Sequence, residues 1–344
     1  MTTSDFDYHL PKSSIAQEPT SPRDHARLML INRQTQKISH HHIFDLPKLL
    51  PPNYFLVANN TKVFPARLLG HKPTGGKVEI LLTTPLGNSR YRCLTKPGLK
   101  IGDQVSFSDP LSGIITNHGN IERIIKFNME ESVLHTTLSV LGTMPTPPYI
   151  KTFLRHPADY QTIYAKYGFS AAAPTAGLHF TPSLLKNLKS THPWYELTLN
   201  VGLGTFLPVK EENVTSHHMH RESYIITASL ADNIRKEKLK KNKLLAVGTT
   251  TMRALESNPK LIPGSHSTDI FIYPPYKFAT VDALLTNFHL PHSTLLMLVS
   301  AFCSSPNTNE KFTNFQDSLL GHAYSEAIKE NYRFFSFGDA MLIV

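Results

Sequence analysis

Cysteine is nearly absent: two residues, Cys93 and Cys303, stand far apart in a chain of 344. That excludes a disulfide framework and any paired-cysteine metal site, and it fits a reducing compartment. Charge is sparse too, at 18% of residues, but 40% hydrophobic residues with 19 Phe and 13 Tyr argue against a disordered chain. Long apolar runs are missing. The longest, Leu295-Leu-Met-Leu-Val299, falls far short of the ~20 residues that span a bilayer. No secretory leader is recognisable, since the N-terminal stretch carries Asp5 and Asp7 and no apolar segment. A cytoplasmic protein without membrane association is therefore expected. No phosphate loop of the Gly-Lys-Ser type occurs, and Val201-Gly-Leu-Gly-Thr205 lacks the third glycine of a dinucleotide fingerprint.

What the chain does have is positive charge, +9 with a pI near 9.4. Such a field concentrates polyanions, nucleic acid first and an anionic membrane surface second. An even spread of charge for solubility is the competing explanation. The densest basic run, Arg235 to Lys243, reads either as a phosphate contact or as a solvated helix face.

The length suggests two domains. From Ala66 to Gly142 the pattern is all-β. Lys77-Val-Glu-Ile80 and Gln104-Val-Ser-Phe107 alternate in polarity, and turn signals recur at Thr74-Gly-Gly76, Gly87-Asn-Ser89, Lys96-Pro-Gly98 and His118-Gly-Asn120. This predicts a small barrel or sandwich, closed off by the proline-rich Met144 to Pro148. Both flanks look α/β. Leu244 to Val247, Gly248 and Thr249 to Glu256 read as buried strand, glycine turn and helix start, and Asp269 to Tyr273 as another strand. Ser293 caps a buried helix, and Phe315 to Phe334 forms a long amphipathic one. The expected architecture is a layered α/β domain, residues 1–65 and 150–344, interrupted by a small β-barrel domain over residues 66–149.

Four stretches carry candidate chemistry. Ala171 to Thr181 gathers small residues, Thr175, Gly177 and His179 before a helix, where close backbone approach and exposed N–H groups suit a ligand. A tight turn whose histidine caps a backbone group is the plainer reading. His217-His-Met-His-Arg-Glu222 invites a zinc site but lacks the helical i, i+4 histidine pair, so a polar cluster with His220 and Glu222 as acid–base groups is equally consistent. Asp282 to Thr294 places Asn287, His289, His292 and Ser293 in a strand-to-helix turn, the edge at which α/β sheets bind ligands. The aromatic Tyr332 to Phe337, ahead of Asp339, reads more readily as core than as a stacking platform.

Together these segments resemble one family along nearly the whole chain, the S-adenosylmethionine:tRNA ribosyltransferase-isomerases. The resemblance rests on Phe6 to Pro11, Ile15 to Gln17, Pro22 to Asp24, Asn59 to Arg67, Thr74 to Lys77, Met144 to Ile150 and Tyr160 to Ala165. It continues through Ala172 to Thr181, Val201 to Phe206, His217 to Glu222, Val247 to Ser257, Thr268 to Tyr273, Asp282 to Phe302 and Tyr332 to Ile343. Five positions depart from the usual pattern: Asn60 and Lys62 where Asp and Arg are common, Asn200 for His, Leu207 for Gln and Pro275 for Gly.

The resemblance implies transfer and isomerisation of the ribosyl part of S-adenosylmethionine onto 7-aminomethyl-7-deazaguanine in tRNA, releasing adenine and methionine. S-adenosylmethionine is then a co-substrate, and neither a resident cofactor nor a metal is expected. The site implied has His179 or His289 in acid–base roles, Glu222 and His220 as rivals, and an anion held by Arg253 and the Thr249–Thr251 turn. Thr175, Gly177, Gly202, Gly204, Thr205, Thr249, Thr250, Asn287 and Asp339 complete the substrate contacts. Lys72, Lys77, Arg90, Arg92, Lys96 and Lys100 of the insert are candidate phosphate contacts. A monomer is expected. A methyltransferase, or an RNA-binding protein without activity, are the rival classes.

Overall fold

A computed structural model describes residues 1–119, 122–152, 154, 156–202, 209 and 211–344. In chain order its elements begin with β1 (Arg27–Asn32), β2 (Lys37–His42), α1 (Leu46–Leu49), β3 (Tyr54–Asn59) and β4 (Thr61–Val63). The insert follows: β5 (Arg67–His71), β6 (Lys77–Gly87), β7 (Arg90–Lys96), β8 (Gln104–Ser108), β9 (Leu111–His118), β10 (Arg123–Phe127) and α2 (Glu131–Leu141). Then come β11 (Tyr167–Ser170), α3 (Pro182–Thr191), β12 (Trp194–Leu199), β13 (Glu222–Ile226), α4 (Ala228–Leu239), β14 (Lys243–Val247) and α5 (Thr249–Glu256). The chain closes with β15 (Gly264–Thr268), β16 (Ala283–Asn287), α6 (Thr294–Phe302), α7 (Leu319–Lys329) and β17 (Ala340–Ile343).

Nine strands form the main sheet in the order β15-β13-β12-β3-β14-β16-β17-β1-β2. The central β12, β3, β14 and β16 are parallel, and β17 runs against β16. Strand β3 is buried at every position, as a parallel strand covered on both faces must be. Its residues alternate between two cores. Phe55 and Val57 join Ala246, Leu284 and Met341 under helices α4 to α7, while Leu56 and Ala58 join Val247, Leu285 and Leu342 under α1 and α3. The result is a three-layer α/β body. Strands β5 to β10 close into a barrel, ordered β10-β7-β6-β5-β8-β9, with its own core. The barrel leaves the sheet from the carboxyl end of β3, through β4, and so sits beside that edge. Cys93 and Cys303 lie buried in separate cores. Among the described residues no helix is long and apolar enough to cross a membrane.

Three expectations need correction. Residues 131–141 are helical rather than β, because Leu134 and Leu138, one turn apart, pack into the barrel core. Asp269 to Tyr273 is not a strand: β15 ends at Thr268, whose hydroxyl takes the Ile270 N–H, and the Ile270 carbonyl turns to Arg253. The C-terminal helix is shorter than its apolar pattern. Ser318 caps it by accepting from the Gly321 N–H, and Asn331, at φ +58°, lies just past its end.

The basic run lies on α4 and at the start of β14, the amino edge of the sheet. Lys238 and Lys240 pair with Asp282 and Glu237, and Arg235 with Asp232. On the barrel Lys72 pairs with Asp103 and Arg92 with Glu122, whereas exposed Arg90 lies directly across from Lys126.

Candidate active site

At the carboxyl edge of the parallel strands a cavity encloses about 80 Å³, or about 700 Å³ counting its open mouth. Strand ends build it. Thr286 and Asn287 end β16 and Phe288 to Leu290 follow it, Gly248 to Thr250 follow β14, Val201 follows β12, and Ala172 to Ala176 form the facing wall. Phe335, Ser336 and Tyr149 close one side. The Tyr149 ring stacks on Phe335 at 4.7 Å, and its hydroxyl lies 2.8 Å from the Ser336 hydroxyl.

The turn from β14 into α5 needs its glycine: Gly248 has φ +89°, a region that side chains disfavour. No side chain caps α5, and its first residues, Thr249 and Thr250, line the cavity; the Thr250 hydroxyl accepts from the Asn59 amide at 3.4 Å. The positive end of a helix at that place suits an anion such as a carboxylate.

His289 lines the cavity and is almost wholly buried. Its Nε2 lies 3.3 Å from the Thr286 hydroxyl, and Nδ1 has no partner. Two tyrosines hold its backbone: the His289 N–H donates to the Tyr324 hydroxyl at 2.9 Å, and the Tyr8 hydroxyl donates to the His289 carbonyl at 2.5 Å. Burial pushes the imidazole down to about 3. It is therefore neutral at pH 7, with Nδ1 open as a hydrogen-bond acceptor.

His179 stands behind this wall. Its Nε2 is 3.2 Å from the Asn287 amide nitrogen, which also donates to the Phe335 carbonyl at 3.0 Å. That carbonyl can only accept, so it orients the amide and makes His179 Nε2 an acceptor, with the ring proton on Nδ1. Burial, with the positive charge of Arg333 adding to it, lowers His179 to about 4. Asn287 Oδ1, like His289 Nδ1, is buried without a partner.

The remaining candidates divide. Thr175, Thr249, Thr250, Asn287 and His289 meet in the cavity wall. Gly177 serves packing. A Cβ there would fall 2.1 Å from the Tyr164 hydroxyl and 2.8 Å from Thr162 Cγ2. Glu222 and Arg253 form a buried ion pair, and the second carboxylate oxygen accepts from the Gly202 N–H at 2.9 Å. Arg253 Nη1 is thus met by Glu222, while its Nη2 is buried without a partner. His220 is exposed, and His217 turns to Glu211 at 2.8 Å, so the histidine-rich stretch does not converge. Among the described residues no group of three His, Cys, Asp or Glu is placed to hold a metal ion. Asp339 accepts from the backbone N–H groups of Arg27 and Arg333, which fixes the entry into β17. Gly204, Thr205 and Leu207 lie outside the described residues.

Three departures have structural places. Asn60 accepts from the Thr198 hydroxyl and donates to Glu196, Asn200 accepts from the Phe169 N–H, and Pro275 follows a cis peptide. Sequence reasoning missed Tyr149, Val201, Thr286 and Ser336. Val201 and Thr286 lie inside stretches that stand out in the sequence, whereas Tyr149 and Ser336 carry no local signature and only the topology brings them in.

Comparison with known proteins agrees along the full length. The curated S-adenosylmethionine:tRNA ribosyltransferase-isomerases of Desulforamulus reducens and Symbiobacterium thermophilum are 46% and 48% identical, each alignment covering all of both chains. The crystal structure of the S-adenosylmethionine tRNA ribosyltransferase from Thermotoga maritima matches with a TM-score of 0.56 and 36% identity, over 99% of this chain and all of that one. A family model described as queuosine biosynthesis protein spans residues 3–343, and the chain belongs to that family.

Proposed function

We propose that this protein transfers and isomerises the ribosyl moiety of S-adenosylmethionine onto 7-aminomethyl-7-deazaguanine in tRNA, giving epoxyqueuosine-tRNA, adenine and methionine. The observation that carries the reading is the unpartnered Nδ1 of neutral His289 in a cavity beside an uncapped helix N-terminus. The sulfonium of the donor acidifies the hydrogens of the 5′ carbon, so a modest base suffices to remove one. His289 is that base. The same sulfonium makes methionine a good leaving group, and the proton held on His289 is available for departing adenine. Methyl transfer would require neither step.

The other residues position. The start of α5 receives the donor carboxylate, with Thr249, Thr250 and Thr175 holding hydroxyls. Asn287 and His179 act as one unit, the histidine fixing the amide that faces the donor. Glu222, Arg253 and Gly202 set the backbone after β12. No resident metal or cofactor enters the scheme, and the protein works as a cytoplasmic monomer.

The test is adenine release from S-adenosylmethionine in the presence of tRNA carrying the modified base. Stoichiometric adenine and methionine with a matching mass gain on the tRNA are expected. S-adenosylhomocysteine would make the protein a methyltransferase instead. His289→Ala should lower kcat by about 10²–10⁴-fold while tRNA affinity is kept. A variant with near-wild-type turnover would remove His289 from the role.

A further inference from the structure

A second cavity, of about 460 Å³, opens where the barrel joins the α/β body. Its walls come from both. Lys62 to Pro65 lead into the barrel, His135 and Ser139 lie on α2, Met144 is on the return, and Pro157 to Ile163 belong to the main body. Thr162, in this wall, touches the turn of Gly177, and the same turn carries Thr175 into the first cavity. The two cavities therefore share a partition one turn thick.

The chemistry of the second cavity is aromatic and cationic. Phe64 stacks on Phe169 at 4.4 Å and meets the His135 ring at 5.0 Å. Arg23 is occupied by the Ala158 and Gln161 carbonyls and by Asp159, and Gln161 by both backbone groups of Val63. The Lys62 side chain, by contrast, is exposed and makes no hydrogen bond or ion pair with another described residue. His135 is likewise exposed, and the buried Thr162 hydroxyl has no partner. Phe64 is buried in the barrel core and backs the exposed His135 ring. That imidazole, with a free cation beside it, suits a base joined to a phosphate, and the net charge of +9 favours a polyanion.

We infer that this cavity holds a nucleotide of the acceptor RNA adjoining the one that reacts, with its base against the His135 ring that Phe64 backs and its phosphate on Lys62. The inference rests on the reading that the substrate is RNA. It adds a second point of attachment, which fixes how the strand enters the first cavity. RNA loops are commonly read in this way, with unstacked bases splayed onto aromatic side chains.

The test separates binding from chemistry. A labelled anticodon stem-loop with an unmodified wobble base is titrated, without donor, against the full chain and against Lys62→Ala and His135→Ala. Both positions are exposed, so the variants should fold and melt as the parent does. The expected result is a Kd raised about three- to tenfold for each variant, with the slope of log Kd against log salt falling by about 1 for Lys62→Ala alone. The KM for S-adenosylmethionine should stay unchanged. Affinities within about twofold of the parent for both variants overturn the inference. So does an effect confined to the donor KM, which would assign the cavity to S-adenosylmethionine. A parent chain that binds the stem-loop but releases no adenine from modified tRNA would remove the catalytic reading and leave this one standing.

Discussion

His179 and His289 are buried as neutral rings, and both are pushed well below the value of about 6.5 they take in an unfolded chain. The unfolded state therefore binds more protons as the pH falls, and stability drops with it. The contribution is whole above pH 6.5 and is lost progressively as the pH falls toward 4 and 3. At pH 5 each ring should cost about 2 kcal/mol relative to pH 7. Tm should decline between pH 7 and 5, and His179→Gln should make that decline shallower; parallel curves for parent and variant would contradict the assignment. Legibility at this scale was uneven. His289 and Asn287 announced themselves by crowding a strand-to-helix turn. Glu222 and Arg253 also looked reactive, but 31 residues of chain separate them, and only the fold shows each neutralising the other.

At the scale of elements, the short turn Thr175–His179 carries two residues of the cavity wall, Thr175 and Ala176, and one of its support, His179. Gly177 at its centre has no room for a side chain, because the Tyr164 hydroxyl occupies the space. Gly177→Ala should destabilise by about 1–3 kcal/mol through overpacking and should lower kcat with it, as the turn shifts. Gly75→Ala, on an open barrel turn at φ +85°, should lose stability from backbone strain alone and leave kcat intact. Thermal melts and turnover of the two variants check the contrast. Elements with local grammar were readable: the Gly248 turn, the Ser293 cap and the alternating barrel strands. Helix α2 was not. Thr136, Thr137 and Val140 give it β-type composition, and its helical period shows only in Leu134 and Leu138, which answer to the barrel. Residues 269–273 failed for the opposite reason. They are apolar enough for a strand, but the carbonyl that would join a ladder is held by Arg253.

For the whole molecule, charge has a geography that composition hides. Five residues of β14, roughly 17 Å, separate the basic run from the first cavity, about two Debye lengths at physiological salt. Lys236→Glu together with Lys241→Glu should therefore change stem-loop affinity by less than about twofold in 0.15 M salt. A larger loss would mean that RNA reaches the amino edge of the sheet. The positive total did point toward a polyanion, but which lysines serve it depends on the sheet edge each one occupies. The interruption of an α/β body by a barrel was legible from the change of period near Ala66. That the barrel rises beside the ligand edge was not, since this follows from the direction in which β3 runs.

Strand β17 lies between β16 and β1, and the two neighbours are separated by some 250 residues of sequence. During synthesis β1 and β2 are therefore made early and can enter the sheet only when the final strand emerges. Tyr8 waits in the same way for His289 and Tyr324. Half-made chains must hold the β1–β2 hairpin with the apolar β1 edge unpaired for most of translation, a state open to aggregation until the last strand arrives.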